Sequence, residues 1–527
     1  MPKQLSPTPN PYPGVFLDFH GLPSNPKCIF RTGDPWPPFL REARPICVHP
    51  IQDSWFELST QIYESLDFLN VQWSTIDPVR FAEEGGEAGP LHLWVGVEPG
   101  SLSFEDAQAA AEGCKKILTD AGFPGVEIAF RESIYTRSVG PQLLNYVPYR
   151  DPIAQNAAPF TPALGIRIAP LKAPHFEGTA ALYLRENSQS ERVFVLTARH
   201  VALPPPIHNN RLYTRSNSDS HASSKPAEKV ILLGTQAYTK ALIEMMGEIE
   251  FQSLSIDVYR NEIEALGDPT DGEDAKITSA RRHWQNKVEK ARQAITDINA
   301  LHKKITEHWT KPEQRVVGYV RHAPPMSFGT GPEQFTEDWA LIDLDVDKID
   351  WGTFMGNVIN LGSRIAPAEF WKKMHPDPNG RSSFKFPVGA LLKVKGVVGE
   401  DDLCRPKQLD ANGEPCLLVV KNGNTTNVTL GRGTGLESIV RTIDEYGVQM
   451  TSREFAIYPY SRKDGPFSAP GDSGSIVVDG NGRIVGLLTG GSGATDATDV
   501  TYITPYYWLE KRIKDVFPDS YLYPMKN

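Results

Sequence analysis

Apolar and polar positions first alternate with period two between about 160 and 200, where LGIRIAP, GTAALYLRE and RVFVLTA read as β-strands. After Pro204-Pro205-Pro206 the period changes. About 70 helical residues follow in two runs, Thr239–Leu266 and Asp274–Trp309, parted by Gly267-Asp268-Pro269. In the second run Ile277, Trp284, Val288, Ala291, Ile295, Ile298, Leu301 and Ile305 recur at spacings of three, four or seven, which is the stripe of one helix face. The pair predicts an antiparallel helical hairpin with a solvated charged face. Strands return at Val316–Val320 and Asp338–Leu344, and a short helix is expected over Pro367–Met374. A second strand-rich stretch runs from about 385 to 508. It contains the hairpin IVVDGNGRIVGLL, turned at Asp479-Gly480-Asn481-Gly482. A helix from Pro505 to Val516 closes it.

Ahead of these strands the pattern is mixed. Asp53–Asp67 reads as helix, Val71–Ile76 as extended, and LHLWVGV at 91–97 as a half-buried strand. Ser103 caps a helix that runs through AQAAAEGCKKILTDA to Gly122, with Asp106 in the place of the capping-box acid. A strand follows at Val126–Phe130. Residues 45–150 therefore predict a small α+β domain, in which we find no chemistry. Residues 1–44 are rich in proline and read as an extended tail. The expected units are 1–44 (tail), 45–150 (α+β domain), 160–236 (first half of barrel one), 237–312 (helical hairpin), 313–350 (rest of barrel one), 351–384 (linker with a short helix) and 385–527 (barrel two and the closing helix).

Composition changes this picture little. The 527 residues are 40% hydrophobic and 22% charged, as in an ordinary globular protein. A net charge of −10 offers no basic excess for nucleic acid or for an anionic membrane, so neither is an expected partner. The five cysteines are odd in number and form no C-x-x-C pair, so no zinc site is expected. No other metal and no cofactor is expected either. No signal-type segment opens the chain and no stretch of 18 apolar residues occurs, which predicts a reduced, intracellular and cytoplasmic protein. The glycosylation sequons at Asn424 and Asn427 have no consequence in that setting.

Three short segments carry candidate chemistry. Val193 to His200 is an apolar strand ending in a histidine. Glu337 to Leu344 holds Asp338 at the opening of a strand of alternating character. Pro470 to Val478 holds Ser473 in a Gly-flanked turn that runs into another apolar strand. A serine hydroxyl is a poor nucleophile until an imidazole takes its proton. The imidazole needs a buried carboxylate to fix its tautomer. The tetrahedral oxyanion needs backbone donors, and Gly471 allows a turn that aims its N–H and that of Ser473 at one spot. One such donor is worth roughly 3–4 kcal/mol. Asp343, Asp345 and Asp347 are rival carboxylates, and each segment alone is common in turns and strands. The conjunction and the order are what argue.

TARH resembles the T-A-x-H of chymotrypsin-like serine peptidases, DWALIDL their D-[ILV]-A-L-[LI]-x-[LV], and GDSGS their G-D-S-G-G. The order His, Asp, Ser is also that family's. The resemblance covers about 160–236 and 313–516. It implies a mainly β fold of two six-stranded antiparallel barrels, and a serine-type endopeptidase acting on protein or peptide substrates. His200 would be general base, Asp338 its orienting carboxylate, Ser473 nucleophile, and Gly471 and Ser473 the oxyanion hole. Asp472 would be a buried structural carboxylate. Phe467, six before the nucleophile, would floor the specificity pocket, with Thr489, Gly490 and Gly491 as its wall and no carboxylate to favour Arg or Lys. Leu488 stands where Glu-selective relatives have histidine.

The sequence also departs from the family. Ser475 stands where glycine is usual. His200 and Asp338 are 338 − 200 = 138 positions apart, because the hairpin interrupts barrel one. The family disulfides cannot be placed, since no cysteine directly follows His200 or closely precedes Ser473. Lys421-Asn422-Gly423-Asn424-Thr425-Thr426 resembles a K-x-G-x-T-T stretch of disulfide-poor members. An α/β-hydrolase is excluded because no histidine follows Ser473; the last is His375. The alternative of another class is a catalytically silent scaffold that binds protein partners through the N-terminal domain and the helical hairpin.

Overall fold

The computed structural model describes residues 21–524 except 23, 25, 34–39, 137–143, 216–226, 271–272, 363–364, 377–384, 444–448 and 496. Most of the expected Pro-rich tail lies outside these residues.

The N-terminal part opens with β1 (Cys28–Arg31) and β2 (Arg41–Arg44), followed by α1 (Trp55–Phe68), β3 (Trp73–Glu83) and β4 (Leu91–Val97). Then come α2 (Phe104–Asp120), β5 (Glu127–Glu132) and β6 (Ile134–Thr136). Ser103 caps α2, its hydroxyl accepting from the Asp106 N–H. That helix is the crossover between the parallel strands β4 and β5. Its small buried residues, Ala107, Ala110, Ala111 and Cys114, let it lie close against α1 and the sheet. β6 leaves this group and pairs elsewhere.

Next come β7 (Ile166–Pro170), β8 (Gly178–Arg185) and β9 (Val193–Thr197), then β10 (Lys229–Leu232). Two long helices, α3 (Thr235–Glu264) and α4 (Ala275–His308), precede β11 (Val316–Ala323) and β12 (Ala340–Leu344). Every neighbour in the order β7-β8-β9-β12-β11-β10 pairs antiparallel, and β10 pairs back to β7. Six strands thus close into a barrel. Its inside is filled: Ile166, Ile168, Val195, Ile342 and Leu344 line a residual space of only about 10 Å³. The helices α3 and α4 leave the wall between β10 and β11, where Ile231 faces Val316 across the ladder.

Two short strands, Ser327–Thr330 and Phe335–Glu337, join the large sheet formed in the C-terminal half by β13 (Leu417–Gly423), β14 (Asn427–Ile443), β15 (Gln449–Pro459), β16 (Ile476–Asp479), β17 (Ile484–Gly493) and β18 (Val500–Pro505), before α5 (Tyr506–Val516). The numbered strands pair antiparallel in the order β14-β13-β16-β17-β18-β15, and β15 also pairs with β14. Two separate barrels were expected. The structure has one closed six-stranded barrel, while these strands belong to a sheet of fourteen that the N-terminal strands extend. β3 pairs with β14 through Ile76 and Ile439, and β6 pairs with β17. The reason is local to the edges: an open strand edge offers unpaired N–H and C=O groups to any neighbour, which no periodicity reveals. Among the described residues no helix is long and apolar enough to cross a membrane.

Candidate functional site

The register of the barrel decides where His200 and Asp338 meet. β9 and β12 run antiparallel with Thr197 opposite Ala340. Asp338 lies two residues before Ala340 and His200 three after Thr197, so both emerge at the same end of one ladder. A single helical turn, Arg199–Ala202, follows β9 and turns the imidazole inward. The His200 N–H donates to Asp338 Oδ1 at 3.0 Å, and His200 Nδ1 lies 2.6 Å from Oδ2. This two-point grip requires the proton on Nδ1 and leaves Nε2 as acceptor. That Nε2 is buried, with no hydrogen-bond partner among the described residues. The rival Asp343 points away: it accepts from the Tyr319 hydroxyl at 2.9 Å and faces Arg192.

Ser473 sits in the turn before β16, between Gly471 at φ +117° and Gly474 at φ +84°. Side chains are excluded at both glycines. A Cβ on Gly471 would overlap Thr425 Oγ1, and one on Gly474 would lie 2.0 Å from the Thr179 carbonyl and 3.2 Å from the Ala198 nitrogen. The turn is therefore pressed onto the ends of β8 and β9, two residues from His200. Thr179 ties it there, its N–H donating to the Ser473 carbonyl at 2.8 Å and its hydroxyl to the Gly471 carbonyl at 3.0 Å. Ser473 is buried and its Oγ donates to the Thr489 carbonyl at 3.3 Å.

Behind Ser473 lies a group whose partner the sequence did not reveal. Asp472 is fully buried and accepts from the N–H groups of Thr425 (2.9 Å) and Ala469 (3.0 Å) and from the Thr426 hydroxyl (2.6 Å). Its counter-ion is Lys421 Nζ at 3.3 Å, with both side chains at 0% exposure. Burial pushes the Lys421 pKa down, and Asp472 opposes that. The K-x-G-x-T-T pattern was the available signal. Its lysine neutralises Asp472, its two threonines bond it, and a Cβ at Gly423 would lie 2.4 Å from Asp472 Oδ1. The same Gly423 makes room for Ser475, whose Oγ lies 2.9 Å from that position.

Phe467 is wholly buried in the main core, its ring against Gly431 and 5.6 Å from Lys421 Nζ. Thr489, Gly490 and Gly491 lie on β17, all buried, with Gly491 opposite Thr136 of β6. A cavity of about 60 Å³ lies elsewhere, lined by Tyr149, Arg167, Glu244, Asn422 and Asn427 among others.

No family model matches the chain, and no curated protein does. Among solved structures it is similar to a glutamic acid-specific serine protease described as using a histidine triad in substrate binding. That likeness covers 68% of this chain and 100% of the other, at 11% identity and a TM-score of 0.29. At that score it carries no weight for the fold or the site.

Proposed function

We propose that the chain is a serine endopeptidase of chymotrypsin type, with Ser473 as nucleophile, His200 as general base and Asp338 as its orienting carboxylate. The observation that carries the reading is the double contact of Asp338 with His200, which leaves a buried, unbonded Nε2 beside the Ser473 turn. In this reading Nε2 takes the hydroxyl proton as Oγ attacks a peptide carbonyl, then returns it to the leaving amine. Asp338 keeps the imidazole in one tautomer and stabilises the imidazolium. The N–H groups of Gly471 and Ser473 would receive the oxyanion. The cyclic pairing of β13 to β18 supports taking these strands as the second barrel. Phe467 as pocket floor, with the Thr489-Gly490-Gly491 wall, favours an apolar substrate side chain, worth about 1.5–3 kcal/mol when one of Leu or Phe size is buried.

The silent-scaffold alternative has one observation in its favour: α3 exposes Ile243, Phe251, Leu254 and Val258 on the face away from α4. Reaction with a fluorophosphonate probe separates the two. Wild type is expected to label, Ser473→Ala not, with turnover of a peptide library lowered ~10⁴-fold or more in Ser473→Ala and comparably in His200→Ala. Equal labelling of wild type and Ser473→Ala overturns the assignment.

A further inference from the structure

The helical hairpin has an apolar face that no described residue covers. One side of α3 packs on α4, with Met245 near Ile298 and Ile305 and with Ile256 near Val288 and Ala291. Ile243, Phe251, Leu254 and Val258 point the other way, each with more than half of its surface exposed. Together with Gly247 they follow one another at spacings of four, four, three and four, which is the seam along which one helix packs on another. The seam is about 22 Å long at 1.5 Å per residue. Its four side chains expose roughly 400 Å² of apolar surface, the size at which a patch marks an interaction site. Joined by the polar flanks of α3, it reaches the ~800 Å² that a standard interface takes from each partner.

Two features of the seam say what covers it. The first is Gly247, which stands inside a helix of 30 residues, where glycine costs about 1 kcal/mol relative to alanine. A Cβ there would meet no atom within 4 Å, so packing within the chain does not call for glycine. A helix approaching from outside does, because a bare Cα lets a large side chain seat against the backbone. The second is that the seam is its own complement. Turned end for end about Phe251, it sets Ile243 against Val258, Gly247 against Leu254 and Phe251 against its own copy. Large thus meets small and apolar meets apolar. The same reversal brings the exposed Lys240 beside the exposed Glu262 at both ends. Glu250 meets its copy beside the axis, a like-charged approach that both side chains relieve towards solvent.

We propose that α3 is the interface of a two-fold dimer, the seam of one copy lying antiparallel on that of a second copy of this chain. The contact is isologous, so it uses up the same patch on both copies and closes on itself. It stands independently of the peptidase reading, since it uses no residue of the Ser473 site.

The test is sedimentation velocity of the full chain over about a hundredfold range of concentration, with far-ultraviolet circular dichroism to check that each variant is folded. Wild type is expected to pass from the 58.4 kDa of one chain to twice that mass as concentration rises. Leu254→Glu puts a charge into the seam and Gly247→Trp fills the gap that Leu254 of the second copy would enter. Each is expected to weaken the dimer ~10-fold or more while leaving the helical signal of the dilute protein unchanged. Lys240→Glu is expected to weaken it about several-fold, and Lys240→Glu with Glu262→Lys to restore it, which only an antiparallel register allows. A wild type that stays single at the highest concentration overturns the proposal. So does a dimer that Leu254→Glu and Gly247→Trp leave as tight as before, or a charge reversal that fails to restore association.

Discussion

At the residue scale the Lys421–Asp472 pair sets the strongest constraint. Two unit charges with no exposed surface hold the turn that carries Ser473, and removing one partner of a buried pair costs about 3–5 kcal/mol, because the other charge is left uncompensated. Lys421→Met is therefore expected to lower stability by about that amount in urea titration. Lys421→Met combined with Asp472→Asn is expected to recover part of the stability, but not the fluorophosphonate labelling that the proposed function assigns to Ser473, which depends on the shape of the turn. Additive losses would show that the two side chains do not act as a pair. Acid sensitivity belongs to this scale too. His322 bonds Thr214 through Nδ1 and His92 meets the Pro90 carbonyl; burial lowers both to about 4 from an ordinary 6.5. A depressed folded pKa means that the unfolded chain takes up these protons first. Their contribution is present above pH 6.5 and is lost as pH falls towards 4, by about 2–3 kcal/mol for each. His322→Gln is expected to flatten the melting temperature between pH 6.5 and 4, while Lys421→Met is not. His200, Asp338 and Ser473 stood out in the sequence because their neighbours, TARH, DWAL and GDSG, are contiguous. Lys421 lies 51 positions before Asp472 and could be matched as a pattern, but its partner could not be read.

At the scale of elements, the long helices behave as two pieces. At the base, Tyr238, Ala241 and Met245 of α3 and Ile298, Leu301 and Ile305 of α4 share a core with Phe160 and Leu233. Farther out, Ile256 packs on Val288 and Ala291, and Tyr259 stacks on Trp284 at 5.7 Å between ring centres. The spacing in α4 disclosed its buried face because one side is polar. α3 is apolar on two faces, so its sequence shows no single stripe. Shortening the hairpin to its base, joining Gly247 to Ile295 through a tight turn, is expected to keep a soluble barrel with a melting temperature within a few degrees of wild type. Removing all of α3 and α4 uncovers Phe160 and Leu233 and is expected to cost several kcal/mol, at about 1.5–3 for each large side chain exposed. Equal melting temperatures for the two deletions would show that the base adds nothing to the core.

At the scale of the molecule, fourteen strands run from the N-terminal part into the strands around Ser473, and Arg131 is the charge at that junction. It also lies 3.6 Å over the Trp94 ring. Arg131→Met leaves two buried carboxylates unneutralised and is expected to cost about 3–5 kcal/mol. Wild type should unfold in one transition whether followed by near-ultraviolet circular dichroism or by protection of β5 amides from exchange. Separate transitions for β5 and for the barrel would show that the junction does not couple them. The strands themselves, the helix caps at Ser103 and Asp274, and the turn at Asn481-Gly482 follow from local sequence, since period, cap and turn residues act within a few positions. The sequence likewise contained the three segments whose order suggested a nucleophile, a base and a carboxylate. Tertiary structure alone decided that β6 lies on β17, that Lys421 neutralises Asp472, and that the N-terminal strands extend the second sheet. Each is a choice among distant edges and distant charges. Backbone edges carry the same N–H and C=O groups whatever the residue, and a buried charge selects its partner by proximity in the folded chain, so neither choice leaves a periodic trace in the sequence.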